Sequence, residues 1–479
     1  MGTESTPLDA ATDDVLILVR RARTQLAEAA VGRHHAGALD HLDDSARIDL
    51  LRELEQLVGA VSATQARLAA DLDASVRGAR AERGVPAEAR GAGVAAQVAL
   101  ARRVSPVRGS QLLGLGKVLV HEMPHTRAAL ASGAMSEWRA TLLARESACL
   151  TLADRRAFDV RMCADPARFD GWGDRRLIAE ARALTARLDQ EAVVRRNARA
   201  TADRRVTIRP VPDVMTQVTA LLPVAHGVAV YGALTRRADE LRSQGDDRTR
   251  GQIMADTLVE RVTGRARAEE VPVGVQIIMT DRALLDGADD PAWVPGHGVV
   301  RAQWARELVA RAHRHGSVVG NWMLRLFTGP DGSELVAMDS RARRAPSGLA
   351  RFITARDRTC RTPWCDAPIR HIDHVLDHAA GGPTSADNLQ GLCERCNYAK
   401  QAPGWSAATV PGHASGGGAH AVRTRTPSGH SYLSRAPQPM GVPPPDAEPD
   451  PLQRLREQGY SVDIVRPDPD DPRVWRRAA

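Results

Sequence analysis

The sequence predicts an α+β protein. A mainly helical N-terminal region leads into a mixed α+β middle, and a small metal-stapled module follows near the C-terminal end. Three observations predict this. Apolar residues from Val15 to about position 200 recur mostly at helical spacing. Strand-like alternation begins at Val206. Four of the six cysteines gather between Cys360 and Cys396.

A chain of 479 residues is too long for one ordinary core, so two or three domains are expected. Residues 1–12 are expected to be disordered. Residues 13–340 form the helical and then α+β region, as in the amphipathic run Leu50 to Leu72. Strands are expected at Val206, at Val275–Thr280, and as a hairpin from Leu324 to Asp339 turning at Pro330-Asp331-Gly332. Gly296 to Val299 reads as a loop leading into another helix. Val214 to Thr235 carries no charge and is long enough to span a bilayer. Its early alternation and Pro223 favour a strand, a break and then a buried helix, so no membrane span is expected. Residues 349–405 form the cysteine-framed module. Residues 406–479 are expected to be a Gly/Pro-rich, largely flexible tail with one possible hairpin.

Composition bounds the partners. Lys117 and Lys400 are the only lysines among 65 basic residues. A formal net charge of +7 permits a nucleic-acid partner without demanding one. The first residues hold no basic segment followed by an apolar one, so no secretion signal is expected and a cytoplasmic location is. Paired cysteines in such a chain favour metal over disulfide. Cys149 and Cys163 stand alone in helical sequence and read as buried thiols.

The chemistry lies in the C-terminal block. Cys360 and Cys365 form one pair and Cys393 and Cys396 another, and four thiolates would saturate a tetrahedral zinc ion. Such a site has no open position for water, so the zinc is structural. A second cation of the Mg²⁺ or Mn²⁺ kind needs oxygen donors, and Asp373 and Asn397 are the candidates. Phosphodiester hydrolysis also needs a base, and His374 is the natural choice. Asp373 and His374 are adjacent, so a regular strand would point them to opposite faces; the strand must end or twist there.

The spacing is specific. Asp373-His374 is followed by VLDHAA, Gly381-Gly382, PTSAD, Asn388-Leu389, and then Cys393-ER-Cys396-Asn397-YA-Lys400. This resembles the HNH, or ββα-metal, nuclease family. The resemblance implies His374 as general base and Asp373 and Asn397 as metal ligands. It also implies that Asn388 braces the loop and orients His374. Asn397 stands where many members have His, so this is an H-N-N form. Lys400, three residues from Asn397 on one helix face, together with Arg356 and Arg358, is expected to meet nucleic acid. Asp377-His378 breaks the family spacing and reads as loop.

Residues from about 45 to 340 resemble the actinobacterial domain of unknown function 222. The segments Leu130 to Thr141, Arg204 to Val214 and Asp247 to Thr263 carry that resemblance, which implies no chemistry. The arginine runs 195–209 and 341–358 read equally as phosphate contacts or as solvated faces. His121-Glu122-Met123-Pro124-His125 matches a zinc-protease motif, but Pro124 breaks the helix that the motif needs. The expected function is therefore metal-dependent cleavage of DNA, with structural zinc and catalytic Mg²⁺ or Mn²⁺. A zinc-stapled DNA-binding module without nuclease activity is the alternative. No oligomeric state or DNA target follows from these motifs.

Overall fold

The computed structural model describes residues 10–30, 39, 41–267, 277–280, 283–284, 287–314, 343–410, 420–438, 465–467 and 475–477. The chain divides into two units, Met1–Arg204 and Arg205–Ala479.

The first unit is helical throughout its described residues. Helix α1 spans Ala10–Ala30 and the 39-residue α2 spans Asp44–Glu82. Asp43 caps α2 by accepting from the Ala46 N–H at 2.8 Å. Helices α3 (Val94–Ala101), α4 (Pro106–His121), α5 (Pro124–Ala131) and α6 (Glu137–Glu146) follow. Then come α7 (Leu152–Cys163), α8 (Asp174–Leu188) and α9 (Gln190–Ala202). The core joins Ala63 and Ala66 of α2 to Leu119, Leu130, Leu143, Phe158 and Leu177. Small residues let the helices approach closely: a Cβ on Gly116 would lie 2.5 Å from the Ala66 carbonyl.

Two buried acids tie this unit together, and neither was visible as special in the sequence. Asp159 of α7 accepts from the N–H groups of His125 and Thr126 and from the Thr126 hydroxyl. It thereby supplies the cap that Met123, at the start of α5, does not. Glu146 accepts from Arg182 and Arg196. Burial works to raise the Glu146 carboxyl, but the bond and charge of Arg182, with Arg196 and Arg145, hold it below its usual range.

The second unit opens with an antiparallel hairpin of β1 (Arg205–Val211) and β2 (Met215–Leu221). Helix α10 (Val224–Ser243) begins directly after Pro223, so the uncharged run is a strand, a break and a helix as expected, but the helix expected to be buried is exposed at Val224, Val228 and Tyr231. Helix α11 (Arg250–Thr263) starts with a capping box between Thr249 and Gln252. Strands β3 (Ala292–Val294) and β4 (Gly298–Val300) pair, and Ile278 bridges Trp293. The Gly296 loop is thus the turn of a short hairpin, and helix α12 (Ala302–Arg314) follows it. The hairpin expected at Leu324 to Asp339 lies outside the described residues.

The module begins with helix α13 (Ser347–Asp357). Strands β5 (His371–His374) and β6 (Leu389–Leu392) pair antiparallel, and helix α14 (Glu394–Lys400) completes the ββα unit. Leu349, Phe352 and Ile353 of α13 pack on Leu389, with Ile372 beside them. Buried Asp357 accepts from the Gly391 N–H at 2.7 Å and fastens α13 to β6.

The expected flexible tail needs correction. Strands β7 (Ser406–Thr409), β8 (Ala421–Arg425) and β9 (Ser431–Arg435) form a three-stranded antiparallel sheet. It joins the module through Arg361, which donates to the carbonyls of His420 and Ser434, and through Trp364 edge-on to Tyr432 at 5.9 Å. The one possible hairpin expected here is β8–β9; β7 was hidden because it is four residues long and set among Gly and Pro. Two short strands, Val465–Pro467 and Trp475–Arg477, also pair. Among the described residues no helix is long and apolar enough to cross a membrane.

Candidate functional site

The four expected zinc ligands come together. The Sγ atoms of Cys360, Cys365, Cys393 and Cys396 all lie within 4.8 Å of one another, and all four residues are buried. Cys365 and Cys393 are 3.7 Å apart at sulfur, far beyond a disulfide bond of about 2.05 Å. A tetrahedral ion with Zn–S near 2.3 Å needs sulfurs roughly 3.8 Å apart, so the cluster has the right size. The Cys360 N–H donates to Ala367 and the Cys365 N–H to Thr362, which folds the x4 loop around the cluster. Trp364 takes a left-handed φ of 60° to close it. Crowding makes the thiols unequal. Hydrogen bonds from Cys365 and then Cys396 lower Cys360, and the same bonds raise its two partners.

Strand β5 ends at His374, with Asp373 and His374 both still paired in it, opposite Gln390 and Leu389. His374 Nε2 lies 2.9 Å from Thr384 Oγ1, and Thr384 is buried. Burial, then the neighbouring His378, lowers the His374 imidazole below its usual value. The His374 and His378 rings sit 5.4 Å apart, edge to face.

Asn388 bonds across the loop that the resemblance has it brace. Its Oδ1 accepts from the Leu376 N–H at 2.9 Å, and its Nδ2 donates to the carbonyls of Leu376 and Pro383. The two glycines are needed for this closure. Gly381 has φ of +87°, and a Cβ on Gly382 would sit 1.9 Å from the Leu376 carbonyl. Among the described residues Asn388 makes no bond to the His374 ring; Thr384 does. Thr384 was missed because nothing local distinguishes a threonine ten residues from its partner.

Lys400 is drawn into the site. Its Nζ donates to Asp373 Oδ2 at 2.9 Å, Asp377 Oδ1 at 2.8 Å and the His374 carbonyl at 2.5 Å. A lysine ammonium has three N–H groups, and all three are used here. The expected phosphate contact therefore has no proton left to donate. Asp377, part of the second Asp-His pair, is a partner of Lys400.

Asn397 is buried on α14, and its Oδ1 has no hydrogen-bond partner among the described residues. Such an orphaned acceptor costs about 1–3 kcal/mol unless something electropositive meets it. Its Oδ1 and the Asp373 carboxylate are both oxygen donors, the kind that a hard divalent cation takes.

Arg356 is engaged inside the protein, whereas Arg358 is half-buried and makes one bond at the surface. Arg356 pairs with Asp357 and donates to the carbonyls of Ala386 and Leu389. Arg358 donates to Gln438 and lies 6.0 Å from the Trp293 ring. In the upstream arginine run, Arg195 pairs with Asp189 and Glu191, and Arg196 with Glu146. The protease-like motif is broken as expected. Helix α4 ends at His121, α5 starts at Pro124, and Glu122 pairs with Arg155. Lys117, beside Gly116, pairs with Asp73 at 3.0 Å.

Comparison with known proteins agrees with both halves of this arrangement. A model described as an HNH endonuclease matches residues 359–402. An uncharacterized protein of Mycobacterium tuberculosis, Rv3776, is 32% identical over 103 residues, covering 21% of this chain and 18% of that protein. A second uncharacterized protein of that organism, Rv2100, is 34% identical over 95 residues, covering 19% of this chain and 16% of that protein. The chain thus spans less than a fifth of the length of these relatives. No solved structure matches it. A model described as a domain of unknown function, DUF222, matches residues 50–357, well over half of the chain. The protein therefore belongs to the DUF222 family and carries an HNH endonuclease domain after the family region.

Proposed function

We propose that the protein is a metal-dependent endonuclease that hydrolyses DNA phosphodiester bonds. The observation that carries this reading is the orphaned, buried Oδ1 of Asn397, on the helix whose Lys400 reaches Asp373. In this reading Asp373 and Asn397 hold Mg²⁺ or Mn²⁺. That ion supplies charge stabilisation for the phosphate and the leaving 3′ oxygen.

His374 takes the proton from the attacking water. Its Nε2 is engaged by Thr384, so Nδ1 is the nitrogen left to act as base. The lowered imidazole keeps this nitrogen unprotonated near neutral pH. Thr384 holds the ring, Asn388 holds the loop, and Lys400 holds the Asp373 carboxylate against the end of β5. The zinc cluster anchors the start of α14 and so positions Asn397.

A second reading, a zinc-held DNA-binding module that does not cut, draws on Lys400, a cation already seated on Asp373. Nicking of supercoiled plasmid by the full chain separates the two. The protein is stripped with chelator, and Mg²⁺ or Mn²⁺ is added back. Restored nicking supports the nuclease; binding with no cutting under any divalent ion favours the second reading.

A further inference from the structure

We propose that the outward face of the β7–β9 sheet is a DNA-phosphate-binding surface, through Arg423, Arg425 and Arg435. The proposal rests on DNA being the partner, as in the reading above. Of the residues expected to meet DNA in this module, Lys400 and Arg356 are occupied by internal acceptors, and Arg358 donates to the Gln438 carbonyl. Affinity must come from elsewhere.

Strand alternation sorts this sheet into two faces. Val422, Thr424, Tyr432 and Ser434 share the face through which the Tyr432 ring meets Trp364. Arg423, Arg425 and Arg435 lie on the other face with Ser431 and Leu433, and all five are exposed. Register places Arg423 opposite Leu433 and Arg435 opposite Ala421, so these two arginines are diagonal neighbours, about 7–8 Å apart at the backbone. Arg425 follows two residues along the same strand, on the order of 7 Å away.

Charge makes this face unusual. Among the described residues none of the three guanidiniums meets a carboxylate, whereas most ion-paired arginines elsewhere are matched at 2.6–3.7 Å, as with Arg108 and Glu137 or Arg139 and Asp174. The sequence explains why: from Ser406 to Pro445 there is no Asp or Glu. Like charges side by side on one sheet face destabilise it unless an anion completes them. A rigid, acid-free face of fork-shaped donors matches a row of phosphates. It also gives the nuclease module, otherwise nearly neutral, a cationic side.

The test is duplex-DNA binding by the full chain across a salt series. The variants are Arg423→Gln/Arg425→Gln/Arg435→Gln and, as a milder one, Arg425→Gln. The triple variant should lose on the order of tenfold affinity at low salt and flatten the log–log salt slope by about 2 to 3; the single variant should flatten it by about 1. Zinc content and cleavage at saturating DNA should stay at the parental level. Unchanged affinity and slope in both variants would overturn the surface. In that case, loss of cutting in His374→Ala would show that the nuclease reading still stands. If the parent binds DNA but never cuts, the nuclease reading fails and the slopes alone decide the surface. A parent that binds no DNA at any salt sinks both.

Discussion

The Lys400 ammonium lies 2.9 Å from Asp373 Oδ2 and spends its other two protons on Asp377 and the His374 carbonyl. It joins the end of α14 to the end of β5 and to the loop beyond. Lys400→Ala should therefore act on site geometry. We expect cleavage to fall on the order of 10²-fold, as for a misplaced catalytic group, with DNA affinity and its salt slope almost unchanged. Parallel cleavage and binding titrations check this. A slope reduced by about 1 with cleavage intact would mean that Lys400 contacts phosphate instead.

Asn397→Ala should weaken the cation site while sparing the base. Activity should fall and partly return at high Mn²⁺ or Mg²⁺, because Asp373 still offers a ligand. Metal-dependence curves for the variant and parent decide it. Loss that no concentration of metal rescues would place Asn397 in a packing role.

About one zinc per chain should resist dialysis, and Cys393→Ser should release it. The module from residue 343 to 438 should then become protease-sensitive, while the helices of Met1–Arg204 stay protected. Elemental analysis with limited proteolysis measures both. Equal protection of the module in variant and parent would contradict a structural zinc.

Glu146 links stability to pH. Its carboxyl is held below the unfolded glutamate value near 4.5, so the stabilisation is fully present above that value and is lost as pH falls through the folded one. Glu146→Gln should cost about 1–3 kcal/mol at neutral pH. The difference from the parent should shrink in acid. Urea unfolding followed through the helical signal, at pH 7 and below pH 4, provides the comparison. A difference that grows in acid would rule out this account of Glu146.

Legibility followed recognisable spacing rather than distance along the chain. The four cysteines, the Asp373-His374 pair, the paired glycines and Asn388 fall into one spaced pattern. Their placement could be read in advance. Pro223 divided strand from helix locally. What escaped depends on partners that no pattern names. Arg356 and Arg358 are expected to meet nucleic acid, or else to lie on a solvated face, and in the fold carbonyls about thirty and eighty residues onward accept their protons. Thr384 and Lys400 acquire their contacts to His374 and Asp373 only when β5, the loop and α14 close. Asp159 and Glu146 look like surface acids until the helices surround them. In the β7–β9 sheet the possible hairpin is β8–β9, while β7 has a pattern too short, beside too much Gly and Pro, to announce itself. The resemblance of residues 50–357 implies no chemistry, and the protease-like motif within them is broken between His121 and Pro124.

The central claim is that His374 is the base of a metal-dependent DNA hydrolysis. The most direct test is plasmid cleavage by the parent, His374→Ala and His378→Ala, each titrated with Mg²⁺ and Mn²⁺, beside duplex-DNA affinity. The account predicts that His374→Ala loses about 10²-fold or more in cleavage at every metal concentration. It should bind DNA as the parent does, and His378→Ala should lose far less. An active His374→Ala beside a dead His378→Ala would contradict it.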